Sequence, residues 1–312
     1  MKIISLFSGA GGLDLGMIQA GNTVIWANDI DKDAVATYEE NIGKHIICDD
    51  IKNIDIKALP DADVVVGGFP CQGFSQANLK RAVDDDRNKL YKFFYSTIKA
   101  KQPKFFIAEN VKGILSLGKG AAIKQIVSDF KSAGYITTVN LVNMADYGVP
   151  QTRQRVIIIG QRKDLGKEML FRFPEPSNSK DGKDKPKWIT IKEAIGHFPD
   201  PSDNGEILNH ICSAYKVEYR NFTGHRKTDP DKPSPTILAR GNGGGGVCAI
   251  PHYNGERRLS IRESASVQTF PENYHFIGAM NSCYRQIGNA VPVKFAKRLG
   301  EELIRLEVEE GI

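Results

Sequence analysis

The first half of the chain alternates short apolar runs with amphipathic stretches, and this alternation limits the folds open to it. The runs KIISLF (2–7) and TVIWAND (23–29) are typical of strands, and the stretch between them, LDLGMIQA (13–20), has helical spacing. Strands separated by helices indicate βαβ units. We therefore predict an α/β fold with a mostly parallel sheet and helices on both faces. Functional residues of such folds lie on loops at the carboxyl ends of the strands.

The alternation continues to about residue 170 and then stops. Further strands are predicted at 63–68, 104–110, 135–144 and 155–162, and further helices at 33–41, 88–101 and 121–134. The segment FPEPSNSKDGKDKPKW (173–188) suggests a linker or an exposed excursion, and a helical pattern returns only at 293–308. We predict a first domain at 1–170, a smaller irregular domain at 171–283, and a C-terminal segment at 284–312 that returns to the first domain.

The composition is that of an ordinary globular protein, with 41% hydrophobic and 25% charged residues among 312. No apolar run approaches the roughly 20 residues of a membrane span, and the N-terminus lacks the apolar core of a signal peptide. The five cysteines are widely spaced without a CxxC pair, which favours reduced thiols in an intracellular protein. The spacing of His210, Cys212, Cys248 and His252 matches no common zinc pattern, so we expect no metal.

The net charge of +5 is unevenly distributed along the chain. The last twelve residues carry −4, and the first 300 therefore carry +9. This excess is compatible with a polyanionic partner, but a solubilising surface explains it equally well.

A glycine-rich turn, FSGAGGLDLG (7–16), follows the first predicted strand and opens a helix, which lets backbone approach a ligand closely. Asp14 occupies a position where a dinucleotide fingerprint needs glycine, and no Walker loop is present. Asp29 ends the next strand, where a carboxylate commonly binds a ribose, and Asp50 follows near the next expected strand end. The pattern fits an adenosine cofactor without a pyrophosphate, such as S-adenosylmethionine, whose sulfonium favours acidic neighbours. A plain glycine turn is the alternative.

Three further stretches place reactive or charged side chains at predicted strand ends. In DVVVGGFPCQGFS (63–75), Cys71 lies in a rigid turn and could act as a nucleophile if nearby positive charge lowers its pKa. In AENV, Glu109 falls on the same rim, although helix capping would also explain it. In QTRQR, Arg153 and Arg155 alternate and suit phosphate or base contacts, although both could be ordinary surface residues.

Together, in this order and spacing, these stretches resemble the DNA (cytosine-5) methyltransferase family of bacterial restriction-modification systems. RESASVQTFPENYHF (262–276) and YRQIGNAVPV (284–293) match the last two blocks of that family. The resemblance implies a Rossmann-like, S-adenosylmethionine-dependent catalytic domain, and it makes 171–283 the target-recognition domain. One departure is Asn88, which stands where glycine is usual in the loop that should close on DNA.

The resemblance also implies a mechanism. Cys71 adds to carbon 6 of a cytosine flipped out of duplex DNA, which makes carbon 5 able to attack the cofactor methyl group. Glu109 binds the Watson–Crick edge and assists protonation at ring nitrogen 3, and Arg155, with Arg153 beside it, fixes the base and its sugar-phosphate.

The resemblance extends to the ligand-binding residues. The implied cofactor-binding residues are Phe7, Gly9, Gly11, Gly12, Leu13, Asp29, Ile30, Asp50, Ile51, Asn289 and Val291. The implied DNA-binding residues are Ser75, Arg87, Thr236 and Arg240. Thr236 and Ile237 resemble the short Thr-aliphatic signature of the recognition region. Arg240 and the glycine run after it could reach a groove and read a guanine edge, and a flexible loop with no base contact is the alternative.

The partner is then double-stranded DNA, with a cognate restriction endonuclease as a functional partner. We expect a monomer in the bacterial cytoplasm. A tRNA cytosine-5 methyltransferase and a catalytically silent DNA-binding regulator are the alternatives. A nicotinamide oxidoreductase is disfavoured by Asp14.

Overall fold

The structure is a computed structural model that describes residues 1–69, 88–203, 206–214, 217, 227–239, 250–255 and 257–312. Its strands are β1 (Lys2–Leu6), β2 (Thr23–Asp29), β3 (Ile46–Cys48), β4 (Val64–Gly67), β5 (Phe105–Val111), β6 (Tyr135–Asn143), β7 (Gln151–Thr152), β8 (Gln154–Arg162) and β9 (Ser234–Pro235). Its α-helices are α1 (Gly12–Gln19), α2 (Lys32–Asn41), α3 (Asn88–Lys101), α4 (Ala121–Ser132), α5 (Ile191–Ile195), α6 (Ile261–Val267), α7 (Met280–Asn289) and α8 (Val293–Glu309).

In the part of the chain that the structure describes, seven strands form one sheet in the order β3-β2-β1-β4-β5-β8-β6. The pairs from β3 through β5 are parallel, whereas β8 runs antiparallel to both β5 and β6. The predicted α/β fold with a mostly parallel sheet is confirmed. A second, two-residue ladder joins β7 to β9 and ties the segment after residue 230 to the start of β8.

The central strands are apolar on both faces because helices cover both sides of the sheet. Ile3 packs into a core with Met17 of α1 and Leu299 of α8. Its neighbour Ile4 packs on the opposite face with Phe94 of α3 and Phe130 of α4. Successive side chains of a strand point to opposite faces, so one continuous apolar run supplies both cores.

The position of the functional cleft follows from the strand order. The chain builds outwards from β1 through β2 to β3, and then returns to the other side of β1 with β4. At such a switch point the loops that leave the two neighbouring strands diverge and open a crevice. Leu6 and Gly67 pair at the carboxyl ends of β1 and β4, so the crevice lies beside residues 7–13 and 68–69.

The prediction that helical pattern returns only at 293–308 is wrong, because α6 and α7 precede α8. These helices bury polar as well as apolar side chains, among them Glu263 and Gln286, so an apolar periodicity does not reveal them. Both helices share one core with Ile191 and Ile237 and also with residues of the predicted first domain and C-terminal segment. This shared core does not mark a boundary at 171 or at 283, so the domain boundaries stay predictions. Among the described residues, no helix combines the length and the apolar character that a membrane span requires.

Candidate functional site

A cavity of about 1120 Å³ opens at the carboxyl ends of β1, β2, β4 and β5. Its lining contains these residues of the predicted site: Phe7, Gly9, Gly12, Leu13, Asp29, Ile30, Asp50, Ile51, Glu109, Arg153, Arg155, Asn289 and Val291. Cys71, Ser75, Arg87 and Arg240 lie outside the described residues. One cavity therefore joins the predicted cofactor residues to Glu109 and the two arginines.

The loop after β1 has an unusual backbone. Phe7, Gly9 and Gly11 have φ angles of 56°, 55° and 80°, all in the left-handed region. Such a conformation is uncommon for a bulky residue such as Phe7 and is held by its surroundings. A Cβ at Gly12 would lie 2.5 Å from the carbonyl oxygen of Val291, so glycine lets α1 begin against the last block of the chain.

Asp29 holds this loop from the end of β2. Its Oδ2 accepts a hydrogen bond from the backbone N–H of Gly9 at 2.7 Å, and its Oδ1 accepts one from Asp31 at 2.9 Å. Burial raises the pKa of the Asp29 carboxyl, although these hydrogen bonds oppose the shift. The carboxylate that should bind a ribose therefore also shapes the glycine turn.

Apolar and acidic groups lie on either side of Asp29. Ile30 leaves 66% of its surface exposed, which is high for an aliphatic side chain next to a cavity. Ile51 is buried in the wall, and Asp50 accepts a hydrogen bond from the backbone N–H of Lys52 at 3.0 Å. Apolar side chains beside carboxylates fit a nucleoside with a positive group and no phosphate. Residues Phe7, Asp29, Ile30 and Asp50 could thus hold S-adenosylmethionine.

Gly11 does not belong to the cavity lining, unlike the other predicted glycines. A Cβ at this position would lie 2.4 Å from Ile42 and 3.1 Å from the hydroxyl of Tyr274. Together with its φ of 80°, this crowding makes Gly11 the residue that allows the start of α1 to pack inwards.

A buried carboxylate, Asp14, lies beneath the same loop, at the position where a dinucleotide fingerprint would need glycine. Ser5 donates a hydrogen bond to Oδ1 at 2.6 Å, and Tyr38 donates one to Oδ2 at 2.9 Å. The Tyr38 hydroxyl also lies 3.0 Å from Nε2 of His45. Burial raises the pKa of Asp14 to about 6.

The opposite end of the cavity carries an ion pair. Nε of Arg155, at the start of β8, lies 2.8 Å from Oε1 of Glu109, near the end of β5. Each side chain is 13% exposed, so the pair is shielded but still faces the cavity. Antiparallel pairing of Val111 with Arg155 brings the two together.

Asn110 also lines the cavity, although it is not among the predicted site residues. Its Nδ2 donates a hydrogen bond to the backbone carbonyl of Phe69 at 2.9 Å. A Cβ on Gly68 would lie 3.1 Å from Oε2 of Glu109. The backbone that leads to Cys71 is therefore held beside the Glu109 carboxylate, and the asparagine after this glutamate is the sequence signal that could have indicated it.

Arg153 lies deeper than Arg155. Only 1% of its surface is exposed, and its Nη1 and Nη2 donate to the carbonyl oxygens of Ile237 and Gly288, each at 2.9 Å. Desolvation, with a contribution from the charge of Arg155, lowers the pKa of Arg153 to about 9. Thr236 is outside the lining, and its hydroxyl donates to the carbonyl oxygen of Thr152.

Comparison with known proteins matches residues 1–305 to the family model described as C-5 cytosine-specific DNA methylase. The chain belongs to this family. The methylase is 39% identical to the Type II methyltransferase M.NgoFVII of Neisseria gonorrhoeae, over 97% of this chain and 86% of that protein. It is 37% identical to M.FnuDI of Fusobacterium nucleatum, over 97% and 95% of the two chains. The protein is a DNA (cytosine-5) methyltransferase of the type found in restriction-modification systems.

The fold of the methylase agrees with solved structures. The crystal structure of the S. pombe Dnmt2 methyltransferase superimposes with a TM-score of 0.73 over 99% of both chains. The two sequences are 21% identical, so this likeness concerns the fold.

Proposed function

We propose that this methylase transfers a methyl group from S-adenosylmethionine to carbon 5 of a cytosine flipped out of duplex DNA within a short specific sequence. The observation that carries the proposal is one cavity lined both by the acidic residues Asp29 and Asp50 and by the Glu109–Arg155 pair. A methyl donor and a base must meet in one water-poor space for direct transfer. The cavity offers a site for each at its two ends.

The cofactor end is assigned by chemistry. Asp29 would accept from ribose hydroxyls, while its bond to the N–H of Gly9 keeps the turn open for the methionine part. Ile30 and Phe7 would cover the adenine, and Asp50 would accept from its amino group. Bound S-adenosylmethionine supplies an electrophilic methyl group at this end.

At the base end, Glu109 and Arg155 position the cytosine. The Cys71 thiolate adds to carbon 6, and Glu109 directs a proton to ring nitrogen 3, so charge does not accumulate on the ring. Carbon 5 then attacks the methyl group, and the bond from this methyl group to the cofactor sulfur breaks, which leaves a neutral thioether. A base removes the carbon 5 proton, the carbon 5–carbon 6 double bond re-forms as the bond to the Cys71 sulfur breaks, and ring nitrogen 3 returns its proton to Glu109. Arg155 holds the Glu109 carboxylate in place by the 2.8 Å ion pair.

The biological setting is a further part of the proposal. The relatives are named Type II methyltransferases, which supports a modification enzyme that protects DNA from a cognate restriction endonuclease. We infer a monomer in the bacterial cytoplasm that acts on double-stranded DNA, with residues 171–283 as its recognition domain. Ser75, Arg87, Thr236 and Arg240 are its proposed DNA contacts.

The test is methylation of unmethylated genomic DNA by the purified protein with S-adenosylmethionine, read by bisulfite sequencing. We expect protected cytosines in one short recurring context, and no protection with Cys71→Ser, which should still bind DNA. Normal turnover by Cys71→Ser would remove the proposed nucleophile. No protection above the control with the wild-type protein would turn the search to tRNA as substrate.

A further inference from the structure

Three segments that are distant in the sequence meet at the guanidinium of Arg153. Its Nη1 binds the carbonyl oxygen of Ile237, in the predicted recognition domain, and its Nη2 binds that of Gly288, in α7. Arg153 itself stands between β7 and β8, two residues before Arg155. One planar group therefore connects the recognition region, the last block of the chain and the strand that carries the base-binding arginine.

A second series of hydrogen bonds lies beside this contact. Oε1 of Gln151 accepts from the backbone N–H of Ile237 at 2.8 Å, and its Nε2 donates to Oε1 of Gln268, also at 2.8 Å. Gln268 in turn donates to the carbonyl oxygens of Ile287 and Ala290. Both backbone groups of Ile237 are thus bound by side chains of one short motif, residues 151–153.

The junction is the place where Arg153, Gly288 and residues 237–239 meet, and its backbone packing leaves no room for a side chain at position 288. A Cβ on Gly288 would lie 2.5 Å from the carbonyl carbon and oxygen of Leu238 and 2.6 Å from the nitrogen of Ala239. Ile237, Leu238 and Ala239 also line the cavity. Residues 236–239 are therefore held against both α7 and the start of β8 at the edge of the base-binding end.

The choice of arginine is informative because a buried cation is costly. Its Nη1 and Nη2 bind neutral carbonyl oxygens, and among the described residues its Nε has no hydrogen-bond partner. Moving a charge out of water costs more free energy than hydrogen bonds to neutral acceptors return, so this contact is a poor source of stability. The rigid planar fork of a guanidinium, however, fixes two acceptors relative to one another, whereas the donors of a lysine ammonium rotate and impose no such geometry.

We propose that Arg153 is a positioning residue that sets residues 236–239 relative to Arg155 and thereby sets the selection of the DNA sequence. Ala239 is followed directly in the sequence by Arg240, one of the proposed DNA contacts, so we expect a displacement of residues 236–239 to change how strictly the DNA sequence is selected. The inference rests on the proposed function, because it assigns recognition to this region. It differs from a direct contact of Arg153 with the base.

The test uses a pool of duplexes with randomised sequence around cytosines, methylated by the full-length protein and read by bisulfite sequencing. The variant is Arg153→Lys, which keeps the charge and removes the fork. We expect the DNA sequence around the methylated cytosine to be selected less strictly. Discrimination against single-base changes in this sequence should fall about tenfold, which is the effect of losing one base contact. The affinity for S-adenosylmethionine should stay within about twofold of the wild-type value. The midpoint of thermal unfolding should stay high enough for the assay at 25 °C.

A second variant, Gly288→Ala, disturbs the same junction from the side of the acceptor and leaves the guanidinium of Arg153 in place. Its Cβ would push against Leu238 and Ala239, and we expect the context to relax at the same positions as in Arg153→Lys. The matched control is Arg298→Lys on the exposed face of α8, which should keep the wild-type context.

The outcomes separate the inference from the proposed function. If the wild-type protein protects no cytosine in any context, the proposed function fails. If the wild-type protein methylates a defined context and Arg153→Lys keeps that context, the positioning inference is overturned. If neither junction variant folds while Arg298→Lys does, the junction serves stability alone, and the inference is again overturned.

Discussion

Glu109 and Arg155 face one another across the end of β5 and the start of β8, with 2.8 Å between Oε1 and Nε. The pair is largely shielded from solvent, and Gly68 brings the backbone before the predicted nucleophile loop close to the other carboxylate oxygen. A carboxylate in this position can accept from a cytosine amino group and handle a proton at ring nitrogen 3. Arg155 fixes the orientation of the Glu109 carboxylate through Oε1, whereas Oε2 lies near Gly68.

The first prediction concerns this carboxylate. Glu109→Gln keeps the shape of the side chain but removes its charge and its ability to carry a proton. We expect the single-turnover rate of methyl transfer to fall by a factor of about 100 or more, the usual contribution of a general acid or base. DNA affinity should change by less than about fivefold. The matched control is Glu272→Gln at an exposed position, where the rate should stay at the wild-type value.

The second prediction concerns the cofactor loop. Asp29→Ala removes both the proposed ribose acceptor and the acceptor for the N–H of Gly9. We expect the affinity for S-adenosylmethionine, measured by calorimetry, to fall at least about tenfold, while DNA affinity falls far less. The matched control is Asp61→Ala, whose side chain is 96% exposed. Unchanged cofactor affinity in Asp29→Ala would rule out the ribose assignment.

How much of the fold could be predicted depends on how each element is buried. Strands β1, β4 and β5 are apolar on both faces, so their sequences predict them directly. Helix α6 buries Arg262 and Glu263, whose burial depends on partners elsewhere in the chain. Arg262 donates to backbone carbonyls such as that of Pro271, and a periodicity of apolar residues carries no sign of this.

The residues of the candidate site also differ in how far the sequence could predict their positions. Residues that directly follow strands, such as Phe7, Asp29 and Glu109, could be placed on one rim because parallel strands end at one edge. Arg153 was expected beside Arg155 against the base and its phosphate. Its hydrogen bonds to Ile237 and Gly288 join segments far apart in sequence, and local spacing cannot reveal such partners.

The third prediction concerns the packing of α1 against α8. A Cβ on Gly16 would lie 2.4 Å from Cβ of Ala296 and 2.6 Å from the backbone nitrogen of Lys297. Gly16→Ala should therefore lower the free energy of unfolding by about 1–2 kcal/mol, since overpacking outweighs the gain in helix propensity. Urea unfolding measures this change. Gly113→Ala, where a Cβ would meet nothing within 4 Å, should cost nothing, and equal effects of the two variants would contradict the close contact.

The fourth prediction concerns pH and the buried carboxyl of Asp14. Its pKa is raised to about 6 in the folded protein, against an ordinary value of 3.8. Between these two values the folded state binds more protons than the unfolded state, so the contribution of Asp14 to stability falls as pH rises. From pH 5 to pH 7.5 this loss amounts to about 1.4 kcal/mol. Asp14→Asn cannot titrate and should lack it.

The measurement is urea unfolding of both proteins at several pH values between 5 and 7.5. Asparagine can keep the local bonds, because its oxygen accepts from Ser5 and its amide donates to the Tyr38 hydroxyl, which can then donate to His45. The pKa of His45 is lowered by burial, so its contribution has the opposite sign, and it is present in both proteins. The difference in unfolding free energy, wild type minus Asp14→Asn, should thus become less positive or more negative as pH rises. A difference that is constant with pH would mean that Asp14 titrates in the folded protein as it does in the unfolded chain.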